Sequence, residues 1–337
     1  MNSMRREECV MRIFIAGSTG VLGKRIVPRL VSMGHKVVGL SRNSETDQWL
    51  MNNGAIPRRG DLLHKESLYS ATADCDVVIH LAARMPARLQ TAIDDWVLNE
   101  RNTIEGTANL IAVSLRSGVA LYIQASVTLL YGRRHGEWVD ESCPPAQDLP
   151  PLLRASVELE KLVRDSILHD RLRAIILRFG NVYSGDSEYT TSMYELISRG
   201  KFPLIERGNS YWNLVFADDA AEAVIAAVRN GAPNVGKVYN VCDDEPVKHR
   251  ELVEFLARSL GAPKPVSIPS FLAKTAIGWQ TVDCLLHSVR CINRRAKEDL
   301  RWVLTYPSYR EGHEAIMKFW RESQDDARAV DKHHTAV

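Results

Sequence analysis

The sequence predicts a doubly wound α/β protein: a parallel sheet with helices on both faces, followed by a smaller, mostly helical C-terminal lobe. Three observations predict it. Short β-branched runs alternate with longer amphipathic stretches through residue 241. The first run leads straight into a glycine-rich turn. Beyond residue 246 the strand pattern gives way to helical spacing. Such alternation implies right-handed βαβ crossovers, with ligands held at the carboxyl ends of the strands.

The expected strands are 11–16, 36–40, 77–81, 119–125, 173–177 and 237–241. A further strand precedes Asp61. Amphipathic spacing predicts helices over 21–33, 93–117, 152–169 and 218–229. Residues 183–212 read as loop-rich, punctuated by Gly185, Gly200, Pro203 and Gly208. We therefore expect a cofactor domain over 11–180, with 214–242 returning to it. Residues 181–213 and 243–325 form the substrate lobe. Residues 1–10 and 326–337 are expected to be flexible ends, and His333-His334 in the second reads as solvated.

Composition narrows the function. Of 337 residues 45% are hydrophobic and 25% charged, which excludes a mainly disordered chain. Forty-three basic against 41 acidic residues give a net charge of +2, no footprint for nucleic acid. No apolar run approaches the roughly 18 residues of a membrane span. The start, MNSMRREECV, carries charge with no apolar core behind it, unlike a secretory leader. Cys9, Cys75, Cys143, Cys242, Cys284 and Cys291 form no C-x-x-C pair, which argues for a reducing cytoplasm and against a metal site. The expected partner is a small molecule, with neither nucleic acid nor membrane; a homodimer is left open.

The first strand runs into Gly17-Ser18-Thr19-Gly20-Val21-Leu22-Gly23, which opens a helix. Glycines there let backbone amides approach a pyrophosphate at the positive end of a helix, and Gly23 permits close helix–sheet packing. This is a Rossmann dinucleotide site by context as well as by pattern. The spacing is G-x-x-G-x-x-G, which resembles the extended short-chain dehydrogenase/reductases of the NAD-dependent epimerase/dehydratase family. His80-Leu81-Ala82-Ala83, N-x-x-G-T-x-N over 102–109, Arg178-Phe-Gly-Asn181-Val-Tyr183 and 213–219 follow in family order. So do 238–241 and 306–312. The resemblance covers residues 11–320. It implies that Asp61 and Leu62 contact adenine, and that Leu81, Ala82 and Ala83 line the ribose and nicotinamide.

An acid at the end of the second strand would accept hydrogen bonds from the NAD ribose, whereas an arginine would pair with a 2′-phosphate. Here the residues are Ser41, Arg42 and Asn43, so NADP(H) is favoured over NAD(H).

The family's chemistry implies a tyrosine acid/base, a lysine four residues later, and a serine or threonine on the fifth strand. None of the ten tyrosines is followed by lysine at the fourth position. Alignment on Glu160-Lys161-Leu162 puts Leu152 at the tyrosine position and Ser156 at the lysine position. Counting back from Tyr131-Gly132 puts Val127 at the hydroxyl position, flanked by Ser126 and Thr128. Of the four usual groups only Asn102 remains. Thr128 and Tyr131, with Tyr183, are the candidate proton donors left by location.

In the second lobe Trp212 replaces the arginine that grips a sugar nucleotide's diphosphate in the family. An indole in place of a bidentate anion clamp favours a flat, apolar substrate. Asn181, Tyr183, Met193 and Trp212 are the candidate substrate contacts, with Trp279 a further apolar side chain. The combined expectation is an atypical NADPH-dependent reductase of a carbonyl or activated double bond in an apolar or aromatic metabolite, working without a Tyr–Lys acid. The alternatives are a nucleotide-sugar epimerase or dehydratase, and a non-catalytic NADP-binding regulatory or scaffold protein.

Overall fold

Seven parallel strands carry the fold. They are β1 (Arg12–Ala16), β2 (Lys36–Ser41), β3 (Ile56–Arg59), β4 (Val77–His80), β5 (Leu121–Val127), β6 (Ala174–Phe179) and β7 (Val238–Val241). The computed structural model describes residues 10–82 and 93–334, with side chains except those of 93–102, 152, 276 and 324–334. The strands lie in the order β7-β6-β5-β4-β1-β2-β3. The order reverses between β1 and β4, where Ala16 pairs with His80. That reversal opens a crevice at the carboxyl ends, the usual seat of a dinucleotide.

The connections are α1 (Gly23–Ser32), α2 (Ser44–Asn52), α3 (Lys65–Thr72), α4 (Ile93–Ser117) and α5 (Pro151–His169). The sheet buries both faces, as parallel sheets must. Ile13, Ile15, Ile79, Ile123 and Ile175 point to one side, with Ile26 and Leu30 of α1. Phe14, Val38, Val78, Tyr122 and Ile176 point to the other, with Leu110 of α4 and Val163 of α5. Pro57 sits in β3, an edge strand, where a missing N–H is tolerated.

The segment expected to be loop-rich contains a helix, α6 (Glu188–Ser198). Its threonines and tyrosines have modest helix propensity, which hid it. The spacing of Met193, Tyr194 and Ile197, all buried, fits a helix and turns one face to the lobe core. Then come α7 (Ala217–Asn230), α8 (His249–Ser259), α9 (Ser270–Ile277), α10 (Trp279–Leu285), α11 (Arg294–Leu300) and α12 (Tyr309–His334). Residues 294–302, expected in the lobe, pack instead with the sheet: Ala296, Leu300 and Trp302 share the core of Ile13. The Trp302 indole also donates to the Asp219 carbonyl at 2.9 Å. The final helix continues to His334, through a segment expected to be flexible.

Arg25 joins the two parts of the chain, bonding Asp186 at 2.7 Å and Asp218 at 3.1 Å. The short pair Asn181–Tyr183 with Leu214–Phe216 spans the junction. Val215 enters the sheet core, while Leu214 and Phe216 enter the lobe core. Among the described residues no helix is long and apolar enough to cross a membrane.

Candidate active site

The glycine turn has the shape its sequence implies. Gly17 has φ +91°, and a Cβ there would lie 2.9 Å from the Ala82 amide nitrogen. A Cβ on Gly23 would lie 2.3 Å from the Gly17 carbonyl oxygen. Those two glycines let β1, β4 and α1 meet. Gly20 is different: its nearest neighbour to a Cβ is the Gly17 oxygen at 3.5 Å, and the residue is exposed. Among the described residues, no hydrogen bond engages the amides of Val21 and Leu22. These are the orphan donors of a helix start, suited to a phosphate. Ser18 is buried and donates to the Leu40 carbonyl at 3.3 Å, tying the turn to β2, while Thr19 is half-buried. Gly20→Val should keep the fold and weaken cofactor binding at least tenfold, roughly the loss of one charge-assisted hydrogen bond. Titration of cofactor fluorescence against both proteins reads this directly; equal affinities would contradict it.

At the end of β2, Ser41 is buried and its hydroxyl donates to the Asn43 carbonyl at 3.0 Å. Arg42 is exposed, and no hydrogen bond or ion pair occupies it among the described residues. Asn43 is held by the local fold, where its Oδ1 accepts from the Thr46 amide at 2.8 Å and caps α2. Asp61 accepts from the Leu63 amide at 2.9 Å. The Leu62 carbonyl accepts from Asn109 at 2.8 Å, and Gly106 lets α4 approach Leu62 closely. The N-x-x-G-T-x-N motif therefore braces the loop of Asp61 and Leu62. Leu81 and Ala82 are half-buried beside Gly17. Ala83 and the side chain of Asn102 lie outside the described residues.

Beneath the carboxyl ends of β4 to β7 lies a buried polar layer that the sequence did not foretell. His80 Nδ1 lies 3.1 Å from Gln124 Oε1 and 3.2 Å from the Tyr122 hydroxyl. Gln124 Nε2 donates to the Ala125 carbonyl, so its Oε1 must accept and His80 Nδ1 carries the proton. Burial pushes the His80 pKa down to about 4, against the opposing hydrogen bond to Gln124. Next in the layer, Glu160 of α5 receives two hydrogen bonds from Arg178, at 2.8 and 2.7 Å, and one from Ser126 at 2.7 Å. Burial alone would raise the Glu160 pKa; the bonds and charge of Arg178 hold it below the ordinary value.

The Ser126–Glu160 bond fixes the register of α5 against β5. Positions 152, 156 and 160 fall at i, i+4 and i+8, one stripe of the helix. Ser156 is half-buried one turn nearer the carboxyl edge than Glu160. The side chain of Leu152 lies outside the described residues. Val127 ends β5, partly exposed, at the position of the usual hydroxyl.

The tyrosine candidates are corrected by their surroundings. Tyr131 is fully buried; its hydroxyl donates to Asn240 Oδ1 at 2.8 Å, and the Arg178 guanidinium lies 4.8 Å from its ring centre. Burial raises its pKa well above the ordinary value. It is a core brace. Tyr183 is buried too, with its hydroxyl 3.5 Å from the Ser308 carbonyl and against Gly312. Thr128 is buried with its hydroxyl against the Cys291 thiol.

Asn181, Tyr183, Met193 and Trp212 do come together, around one enclosed apolar cavity. Its volume is about 20 Å³, room for a single water and not for an aromatic ring. Trp212 stacks on His249 at 4.3 Å and donates to the Leu285 carbonyl at 3.3 Å. Trp212, Met193 and Tyr183 are lobe core, and of the four only Asn181 is partly exposed. An apolar wall does stand at the end of β5: Val127, Leu129, Leu149, Leu153, Ala146 and, from α10, Cys284. Sequence reasoning saw only the missing hydroxyl at Val127 in this group.

A model of the family described as "NAD dependent epimerase/dehydratase family" matches residues 13–242. Among curated relatives, a Streptomyces "3-diazoavenalumate denitrifying reductase" is 31% identical over 317 residues, 90% of this chain and 99% of its own. A "2-alkyl-3-oxoalkanoate reductase" of Stenotrophomonas maltophilia is 28% identical over 80% of this chain and 81% of its own. Among solved structures, a dTDP-glucose 4,6-dehydratase of Streptomyces venezuelae with NAD bound covers 94% of this chain and 98% of its own. Its TM-score is 0.77 at 18% identity. The match through the glycine turn, the polar layer and β7 makes the chain a member of the NAD-dependent epimerase/dehydratase family of short-chain dehydrogenase/reductases.

Proposed function

We propose that this protein is an NADPH-dependent reductase that delivers hydride to an apolar, aromatic electrophile without a protein acid. The observation that carries the reading is the trio Val127, Leu152 and Ser156 at the positions of the usual Ser, Tyr and Lys. Nearby Tyr131 and Tyr183 offer no substitute, since both hydroxyls are turned into the core. The bound nicotinamide would supply the hydride. Backbone amides of 21 and 22 would hold its diphosphate, Arg42 would pair with a ribose phosphate, and the apolar side chains of Val127, Leu129 and Leu153 would help to exclude water.

Stoichiometry then sorts the substrates. Reducing a ketone to an alcohol consumes a hydride and a proton. Reducing an aryl diazonium consumes a hydride and no net proton: the hydride forms an N–H bond, the N–H and C–N bonds then break as dinitrogen leaves, and the proton released from nitrogen is balanced by the one that water delivers to the ring carbon. A site stripped of its acid suits the second reaction. The diazo substrate named for the Streptomyces relative supports it. A ketone or activated double bond whose proton comes from its own phenol or from water remains within the same reading.

The test is transfer from 4-deuterated NADPH to an aryl diazonium, a quinone, a polycyclic ketone and a nucleotide sugar. One dinitrogen released and one arene formed per NADPH oxidised, with loss of deuterium from the cofactor, is the expected result for the diazonium; for the quinone, ketone and sugar the label should appear in the product. Reversible transfer with the nucleotide sugar would establish an epimerase. No transfer to any of them would establish a cofactor-binding regulatory or scaffold protein.

Cofactor choice rests on Ser41-Arg42 with no acid after β2. Arg42→Ala should weaken NADPH about 10- to 100-fold, as expected for a charge-assisted hydrogen bond, and leave NADH nearly unchanged. Equal loss for both in parallel titrations would overturn the preference.

A further inference from the structure

We propose that Asp47 and Arg59 form a charge pair that sets the choice between NADPH and NADH, although neither lies in the turn that follows β2. The proposal rests on the NADPH reading above and names a second determinant of that choice. Topology carries it first. β2 and β3 run side by side to the carboxyl edge of the sheet, where Ser41 stands in register with Arg59. The Gly60 amide donates to the Ser41 carbonyl there at 3.1 Å. Ser41 is the last residue of β2, the position from which an acid reads the ribose of NAD. Asp47 reaches the same corner from the first turn of α2, its amide donating to the Asn43 carbonyl at 3.2 Å. Its Oδ2 accepts from Arg59 Nε at 2.8 Å, with Arg59 Nη2 at 2.6 Å. The fold thus supplies the acid that is missing after β2, and sets a guanidinium against it.

Charge carries it second. The Ser41 hydroxyl holds the Asp47 carboxyl below its ordinary pKa; slight desolvation opposes this and Arg59 adds to it, so the group is ionised at pH 7. Asp47 Oδ1 is buried with no hydrogen-bond partner among the described residues, which shields one side of the charge from water. Arg59 and Arg42 are exposed, so both guanidiniums face the solvent from which a cofactor arrives. Glu45, in the same turn of α2, is exposed too, where salt and water screen it. A 2′-phosphate brings about −1.5 to −2 charges to this corner, whereas the ribose of NAD brings none. Asp47 alone would repel that phosphate. Arg59 cancels the repulsion, and leaves Arg42 free to pair.

The experiment measures NADP⁺ and NAD⁺ binding by calorimetry and reads the ratio of the two affinities in each variant against wild type. Asp47→Asn, which keeps the shape and removes the charge, should move the ratio about fivefold or more toward NADP⁺. Arg59→Gln should move it by a similar factor toward NAD⁺. The double variant restores the net charge of the pair and should return to within about twofold of wild type. In 1 M KCl, where the Debye length is about 3 Å, both single shifts should shrink, which a merely structural role would not do. An unchanged ratio in the single variants, shifts of the same sign in both, or shifts that persist in 1 M KCl would each overturn the proposal. Because each ratio is compared with wild type, the pair is tested whichever cofactor wild type prefers. Tighter NAD⁺ binding by wild type removes the NADPH reading alone. A preference that falls in Arg42→Ala but stands in these variants removes the Asp47–Arg59 assignment alone.

Discussion

His249→Phe is expected to leave stability at pH 7 within about 1 kcal/mol of wild type and to raise it by about 3 kcal/mol at pH 4. The imidazole is buried beneath Trp212, and among the described residues its Nε2 has no hydrogen-bond partner. Burial pushes its pKa from 6.5 down to about 4. In the unfolded chain the group takes a proton near pH 6.5; in the folded chain it resists until about pH 4. The stability tied to the neutral ring is therefore complete above pH 6.5 and is lost progressively as the pH falls toward 4. Phenylalanine keeps the stack on Trp212 and removes the titration. Other buried groups, among them Asp243 with its raised pKa, titrate alike in both proteins and cancel in the comparison. Urea denaturation at pH 7 and pH 4 measures the two differences; parallel losses in both proteins would remove the assignment.

Glu160→Ala should cost about 3–5 kcal/mol, the usual penalty for leaving a buried charge without its partner. Arg178 is 1% exposed, its Nη1 lacks a partner among the described residues, and Glu160 accepts two hydrogen bonds from it. Glu160→Leu combined with Arg178→Met should recover most of the loss, because a well-packed apolar pair can replace a buried ion pair at little net change. Urea midpoints of the three variants test this. A single-variant loss below about 1 kcal/mol would mean that water reaches Arg178, contrary to its burial.

Much of the architecture was legible because its signals are local. A β-branched run followed by Gly17-Ser18-Thr19-Gly20 specifies strand, turn and helix within a dozen residues. The expected strands 36–40 and 77–81 form as Lys36–Ser41 and Val77–His80. Legibility failed where partners are far apart in sequence. Glu160 served only to align α5, because nothing near it announces a salt bridge to Arg178 or a bond to Ser126. Tyr131 looked available because a tyrosine after a strand often is; its bond to Asn240 spans 109 residues. The apolar wall draws on β5, on the segment before α5 and on α10, so no window of sequence contains it.

The placement of β7 at the edge of the sheet has a consequence for synthesis of the chain. Until residues 238–241 emerge, β6 is the outermost strand, and its Ala174–Phe179 segment AIILRF is wholly apolar apart from Arg178. Between the emergence of β6 and that of β7 the nascent chain thus exposes a bare edge of high β-propensity, the template on which another chain can pair. The N-terminal glycine-turn domain therefore cannot be cut out as a well-behaved fragment at residue 180. A version soluble on its own needs β7 grafted back, or a charge placed on the outer side of β6.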